Sequence, residues 1–298
     1  MPRGHCLVSA LLFALAMPVL ADAPEIAQAA ALRANYAASQ AALGRNAFHR
    51  PLTLQSREGK GAVSGDIHAL LDASFETAGA ELASPEAWCG IMVLHINTKG
   101  CQVSAGTAGK MLGLWIGAKE FAPLAEASRL SLAFRVYANT PGYLRVGLSA
   151  AEGPMGTRDY RILLEAIPLA DGRTFLHLAY SYGYGVFGEI TMQAYLATAG
   201  RDKVGFTVLK PRPGDPAGST QYIAGLRGVT ERNTMRYYLA IEAYLGALSV
   251  APGARFEKRI RDWYAAAENF PRQLHEIDQA EYLDMKRRQN LRPLLPPA

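Results

Sequence analysis

Apolar and polar residues alternate with a period of two through much of the middle of the chain. Leu130, Leu132, Phe134 and Val136 share one face of a strand predicted over 129–137. Leu144, Val146 and Leu148 do the same over 143–149, across a turn at Thr140-Pro141-Gly142. Such alternation marks an antiparallel, half-buried sheet. Asp171-Gly172 joins two more alternating runs, 161–169 and 173–184, as a tight hairpin. Upstream, Leu52 to Ser56 reads as a short strand before the turn Glu58-Gly59-Lys60-Gly61. The strand after it places Val63, Gly65, Ile67, Ala69 and Leu71 on one face, with Asp66 and His68 on the other. Further strands are predicted from Ile91, with Met92, Leu94 and Ile96 on one face, and over 203–209 and 221–226.

Helical spacing brackets this sheet. An alanine-rich segment from Pro24 to Gly44 carries a loose stripe of Ile26, Leu32, Tyr36 and Leu43, a leading helix packed outside the sheet. Ser74 is placed to cap a short helix over 75–82, and Pro85 opens another over 85–89. A helix is expected over 191–199, before a proline-rich loop over 211–218. The segment from Thr234 to Leu248 is helical and apolar nearly all round, with only Arg236 and Glu242 charged. A helix with so little polar surface is buried on more than one side. Its large residues, Tyr238, Ile241, Leu245 and Leu248, would face the sheet; Ala240, Ala243 and Ala247 would admit a neighbouring helix or leave room for a guest. Phe256, Ile260, Trp263, Ala267 and Phe270 line an amphipathic tail helix, and Pro271 starts another running to about Arg288. The pattern predicts an α+β fold in which a curved antiparallel sheet grips a long helix, with extra helices at both ends. In domain terms, residues 1–21 are a signal peptide, 24–50 the leading helix, 52–248 the gripping domain and 252–290 a helical tail.

Composition changes this picture in one respect, the compartment. Arg3 precedes an apolar run from Leu7 to Leu20 that ends in Val19-Leu20-Ala21, the signature of a cleaved signal peptide. Cleavage is expected after Ala21; a cut after Ala23 also fits, but Pro24 would follow the scissile bond. Removing Arg3 lowers the formal net charge from +5 to +4. The basic residues are dispersed, so no nucleic-acid stripe is formed, though weak contact with anionic membrane surfaces fits the charge. No span remains in the mature chain, which is expected to be periplasmic or secreted. Cys89 and Cys101 are then its two cysteines, and in an oxidising compartment they read as one disulfide or as two buried thiols.

Candidate chemistry is sparse. Gly183-Tyr184-Gly185-Val186-Phe187-Gly188 has the spacing of a dinucleotide fingerprint, but it follows an antiparallel hairpin and lacks the later acid, so no cofactor is expected. Tyr180, Tyr182 and Tyr184 line up toward the interior, as walls of an amphipathic cavity or as packed core. Glu165 shares a face with Leu163 and Ile167; a carboxylate there is either paired with arginine or shifted upward. Glu242 poses the same choice, with Arg236 or Arg232 as partner. Arg227, Arg232 and Arg236 would meet a ligand head group or pair with Glu231. His95 and His177 each sit on a strand, with no spacing that assembles a triad or a metal site.

The strand Gly65-Asp66-Ile67-His68-Ala69-Leu70-Leu71, running into Asp72 to Trp88, resembles the opening of the START-like, or helix-grip, superfamily of lipid-transfer and polyketide-cyclase-like proteins. The order continues with about six antiparallel strands and a long helix. The chain is also similar to a group of uncharacterised secreted bacterial proteins at Trp88-Cys89, Leu94-His95-Ile96-Asn97 and Glu231 to Tyr238, which brings no catalytic residues with it. The superfamily resemblance implies an apolar cavity between sheet and helix. The expected function is to carry a hydrophobic or amphipathic, lipid-like molecule, with Tyr180, Tyr182, Tyr184, Glu165, Arg236, Tyr238 and Ile241 as cavity candidates. Two alternatives stand beside it: an envelope interaction protein with a filled core, and an enzyme using a buried carboxylate.

Overall fold

The computed structural model describes residues 23–107, 109–185, 203–211 and 220–291. The expected signal peptide, the helix over 191–199 and most of the proline-rich loop lie outside them. Eight strands form one open antiparallel sheet: β1 (Leu52–Gly59), β2 (Ala62–Leu71), β3 (Thr98–Gly106), β4 (Gly109–Ile116), β5 (Ser128–Thr140), β6 (Tyr143–Glu152), β7 (Thr157–Pro168) and β8 (Thr174–Tyr184). Their spatial order is β1-β2-β8-β7-β6-β5-β4-β3, so β2 pairs with the last strand while β3 forms the far edge. The connection from β2 to that edge is made by two short helices, α2 (Phe75–Leu82) and α3 (Pro85–Met92). Ser74 and Ser84 cap them, each side chain accepting an N–H three residues on.

Helix α4 (Gly225–Gly246) lies in the concave face of this sheet. It starts nine residues before the predicted Thr234, because polar residues in its first half are buried by partners rather than left in solvent. Gly65 lets β2 and the helix meet. A Cβ at that position would stand 2.4 Å from Thr234 Oγ1 and 3.2 Å from Thr230 Cγ2. Tyr238 and Ile241 follow on the helix, both fully buried. The complete burial of a side chain such as Ile241 stabilises the fold by about 1.5–3 kcal/mol. Behind α4, helix α5 (Pro252–Glu268) buries Ile260, Trp263 and Ala267, and Trp263 Nε1 donates to the Arg236 carbonyl at 3.1 Å.

On the convex face, α1 (Ala23–Gly44) covers a smaller cluster of Leu70, Tyr143, Ile167 and Phe175 with Ala29, Leu32 and Leu43. Ile26, placed in the same stripe by sequence, points to solvent at 60% exposure. Cys89 of α3 and Cys101 of β3 form a disulfide, with Cα atoms 5.3 Å apart.

Several predicted elements differ. Ile91 to Ile96 is the end of α3 and a turn, so the apolar alternation there reflects a buried corner. The next strands are the hairpin β3–β4, which sequence reading left unassigned. Residues 203–209 and 221–226 are not regular strands; they meet around an isolated bridge, Val208 with Tyr222, where three backbone hydrogen bonds join residues 205–209 to 221–223. The final helix is broken into α6 (Pro271–Leu274) and α7 (Gln279–Asn290). Among the described residues, no helix is long and apolar enough to cross a membrane.

Candidate functional site

The long helix is packed closely at one end and faces a void at the other. Beside its first half lies a cavity of about 470 Å³. One wall is phenolic: Tyr180 and Tyr182 from β8, Tyr160 from β7 and Tyr237 from α4, with ring centroids 5.3–6.3 Å apart. Ile116, Leu130 and Val229 add apolar surface, and exposed Met155, Glu126 and Ser128 form a rim open to solvent. The floor is polar, made by His95, Asn97, Asn233, Arg236 and Glu276.

Local structure explains these positions. Tyr160 continues the inward face of Ile162 and Leu164 and lies within a bulge against β8 between Arg158 and Arg161. His95 sits in the turn after α3, which α7 clamps from below. Tyr282 donates to the Leu94 carbonyl, and Lys286 to the carbonyls of His95 and Thr98, all at 2.7–2.8 Å. Glu276, in the break between α6 and α7, receives Arg236 at 2.7 Å, Lys119 at 2.5 Å and Lys203 at 3.0 Å. Burial alone would raise its pKa, but these three cations hold it down to about 2.

Burial also fixes the protonation of the other cavity groups. It pushes the Tyr160, Tyr180, Tyr182 and Tyr237 phenols above their usual range, so they stay neutral donors. His95 is driven well below its ordinary value by burial first and then by the charges of Arg236 and Lys286. Its Nδ1 accepts the Asn97 backbone N–H at 3.2 Å, which leaves the ring proton on Nε2. Nε2 of His95, the Tyr182 hydroxyl and Nε of Arg236 are buried without a hydrogen-bond partner among the described residues. Asn233 and Thr230 stand near enough to bias the titration of His95 and Tyr182, but neither completes a well-aligned bond.

Of the residues singled out by sequence, Tyr180, Tyr182 and Arg236 line this cavity. Tyr184 is buried at the end of the same strand, with its hydroxyl 3.4 Å from Glu58. Tyr238 and Ile241 are packed in the core, where Tyr238 donates to Glu242 at 2.6 Å. The partner of Glu242 is Arg50, not Arg236 or Arg232. Glu231 accepts from Ser56, from the Phe206 and Thr207 amides and from the Thr207 hydroxyl, so it ties residues 206–207 to the helix, and among the described residues it forms no ion pair with arginine.

Glu165 requires a larger correction. Its strand alternates, and the face shared by Leu163 and Ile167 is the convex one, beneath α1 rather than toward the cavity. There His177 is held between Glu165 at Nδ1 and Asp66 at Nε2, each 3.0 Å away, while Tyr143 also donates to Glu165. Burial opposes the charge on His177, but the two carboxylates raise its pKa to about 9. Glu165 is correspondingly lowered: burial would raise it, and the bonds from His177 and Tyr143 outweigh that effect. His68, stacked on His177 at 4.4 Å, falls to about 4 through burial and the neighbouring charge. This cluster is an ion-paired brace for the sheet.

Sequence reading missed Tyr160, Asn233, Tyr237 and Glu276 as cavity residues. Tyr160 was legible from its parity with Ile162 and Leu164. Val229, Asn233, Arg236 and Tyr237 recur at helical spacing once the helix is started at Gly225. Glu276 lies in a helix break and gives no local pattern.

No family model and no curated protein matches the chain. Among solved structures, a conserved protein of unknown function from Enterococcus faecalis is similar at 11% identity and TM-score 0.35, covering 73% of this chain and 91% of that one. Norcoclaurine synthase from Thalictrum flavum follows at 18% identity and TM-score 0.32, over 45% of this chain and 81% of its own. Human StAR-related lipid transfer protein 5 matches at 11% identity and TM-score 0.30, over 57% and 90%. Scores this low bring no ligand or activity with them, and the architecture rests on the strand order itself. A strand, two short helices, six antiparallel strands and a long helix in the concave face make this an α+β fold of helix-grip architecture.

Proposed function

We propose that the protein is an exported carrier that binds a small hydrophobic or amphipathic, lipid-like molecule between the sheet and α4 without transforming it. The observation that carries this reading is the cavity of about 470 Å³ with a phenolic wall and a polar floor. Its volume falls in the range of small-molecule sites, about 300–1,000 Å³, and its mixed lining suits a guest with an apolar body and a polar end. The protonation states favour binding over acid–base chemistry. The phenols remain protonated, and Glu276 is ionised by its cations, so neither is poised to exchange a proton near neutral pH. The disulfide between Cys89 and Cys101 supports export to an oxidising compartment. A modest positive charge suits transient contact with an anionic membrane surface, where such a guest would be collected.

Native mass spectrometry of the protein purified from its own envelope fraction, followed by solvent extraction, tests the reading. The expected result is an adduct of a few hundred daltons that extraction removes. Protein that is guest-free under gentle conditions, and takes up no amphiphile afterwards, contradicts it. N-terminal sequencing of the same sample tests export: a mature terminus just after Ala21 or Ala23 is expected, and an intact Met1 opposes it.

A further inference from the structure

Three donors among the cavity's residues lack acceptors among the described residues: Nε of Arg236, Nε2 of His95 and the Tyr182 hydroxyl. Arg236 gives one terminal nitrogen to Glu276 at 2.7 Å and to the Leu274 carbonyl at 3.4 Å, and the other to Asn233 at 3.4 Å. Its Nε–H has no partner among the described residues. The His95 proton is on Nε2, because Nδ1 already accepts the Asn97 amide, and that N–H is likewise unmatched. The Tyr182 hydroxyl is the third unmatched group. All three residues line the same void. A buried donor left without an acceptor carries its desolvation penalty uncompensated, so a ligand that supplies acceptors recovers energy the empty protein forgoes.

Charge points the same way. Arg236, Lys119 and Lys203 converge on the single carboxylate of Glu276, an excess of positive charge at the floor. The acid nearest the mouth, Glu126, is exposed on the rim, where solvent screens it.

From these unmatched donors and this excess charge, and building on the carrier reading above, we infer that the guest is a carboxylate-bearing amphiphile. Its carboxylate lies among His95, Tyr182 and Arg236, and its apolar body lies along Tyr160, Tyr180 and Tyr237. An acyl chain or an aromatic body would both fit this description, and the test includes one of each.

Isothermal titration of the full mature protein compares lauric acid with lauryl alcohol, and naphthylacetic acid with naphthylethanol. At least one acid is expected to bind about tenfold or more tightly than its matched alcohol, the scale of a hydrogen bond to a charged acceptor. Tyr182→Phe, which removes a hydroxyl that has no hydrogen-bond partner among the described residues and should fold normally, is expected to weaken that acid about fivefold or more and leave its alcohol unchanged. Equal binding of acid and alcohol, or an equal loss for both in Y182F, overturns the carboxylate assignment while sparing the carrier reading. If no acid and no alcohol binds, both fall.

Discussion

Two stripes of α4 do opposite things. Thr230, Thr234, Tyr238, Ile241 and Leu245 face the sheet or its core, and all are buried, with Thr234 pressed onto Gly65. Val229, Asn233, Arg236 and Tyr237, a third of a turn away, border the void instead. The first stripe satisfies itself: Thr230 and Thr234 return their hydroxyls to carbonyls four residues back, and Tyr238 bonds Glu242. The second leaves Nε of Arg236 without a partner among the described residues. A protein selected for stability alone gains nothing from an unfilled, donor-rich floor, so the difference separates the part of the grip that holds the fold from the part that is free to hold something else.

This contrast yields predictions of descending size. Ile241→Ala should cost about 3 kcal/mol of stability, as large-to-small core changes do, with ligand affinity unchanged in the protein that remains folded; chemical denaturation and titration measure the two. Replacing Cys89 and Cys101 by serine opens the loop between α3 and β3, and should cost about 3 kcal/mol in the chain-entropy account, read from the same denaturation curves. Gly65→Ala forces the sheet away from Thr234 and should cost about 2 kcal/mol, typical of overpacking.

The convex face provides a control. The pKa of His177 is raised from 6.5 to about 9, so its contribution to stability is complete below 6.5 and is lost as pH rises through 9. Thermal melts across that window should show a decline that His177→Gln flattens, and guest binding should not alter it. At the small end, Tyr182→Phe should not lower the melting temperature and should raise it slightly, since it removes a buried hydroxyl that has no partner among the described residues.

The fold was legible wherever pattern and environment agreed. The hairpin at Asp171-Gly172, the inward face of β2 and the two serine-capped helices followed from period and capping chemistry. The β3–β4 hairpin was not, because Thr98 and Lys99 are buried polar residues whose satisfaction comes from other elements; Lys99, for instance, donates to the Ile96 and Glu120 carbonyls. The site was less legible than the fold. Tyr180 and Tyr182 could be read from strand parity, whereas the face Glu165 shares with Leu163 and Ile167 reads as cavity-facing only because the strand is apolar on both sides. His95 and Glu276 owe their positions to a turn and a helix break that only α7 and three distant cations fix.

The central claim is that a guest fills one end of the grip and leaves the other untouched. Two-dimensional NMR of the labelled protein, titrated with whichever matched acid binds, tests it most directly. Shifts confined to residues such as His95, Tyr160, Tyr180, Tyr182, Asn233 and Tyr237, with Tyr238 to Leu245 and the His177 cluster unmoved, are the predicted result. Saturable shifts centred elsewhere, for example on the outer groove between Phe48, Phe206 and Phe270, would show that the space beside α4 is not where a guest is held.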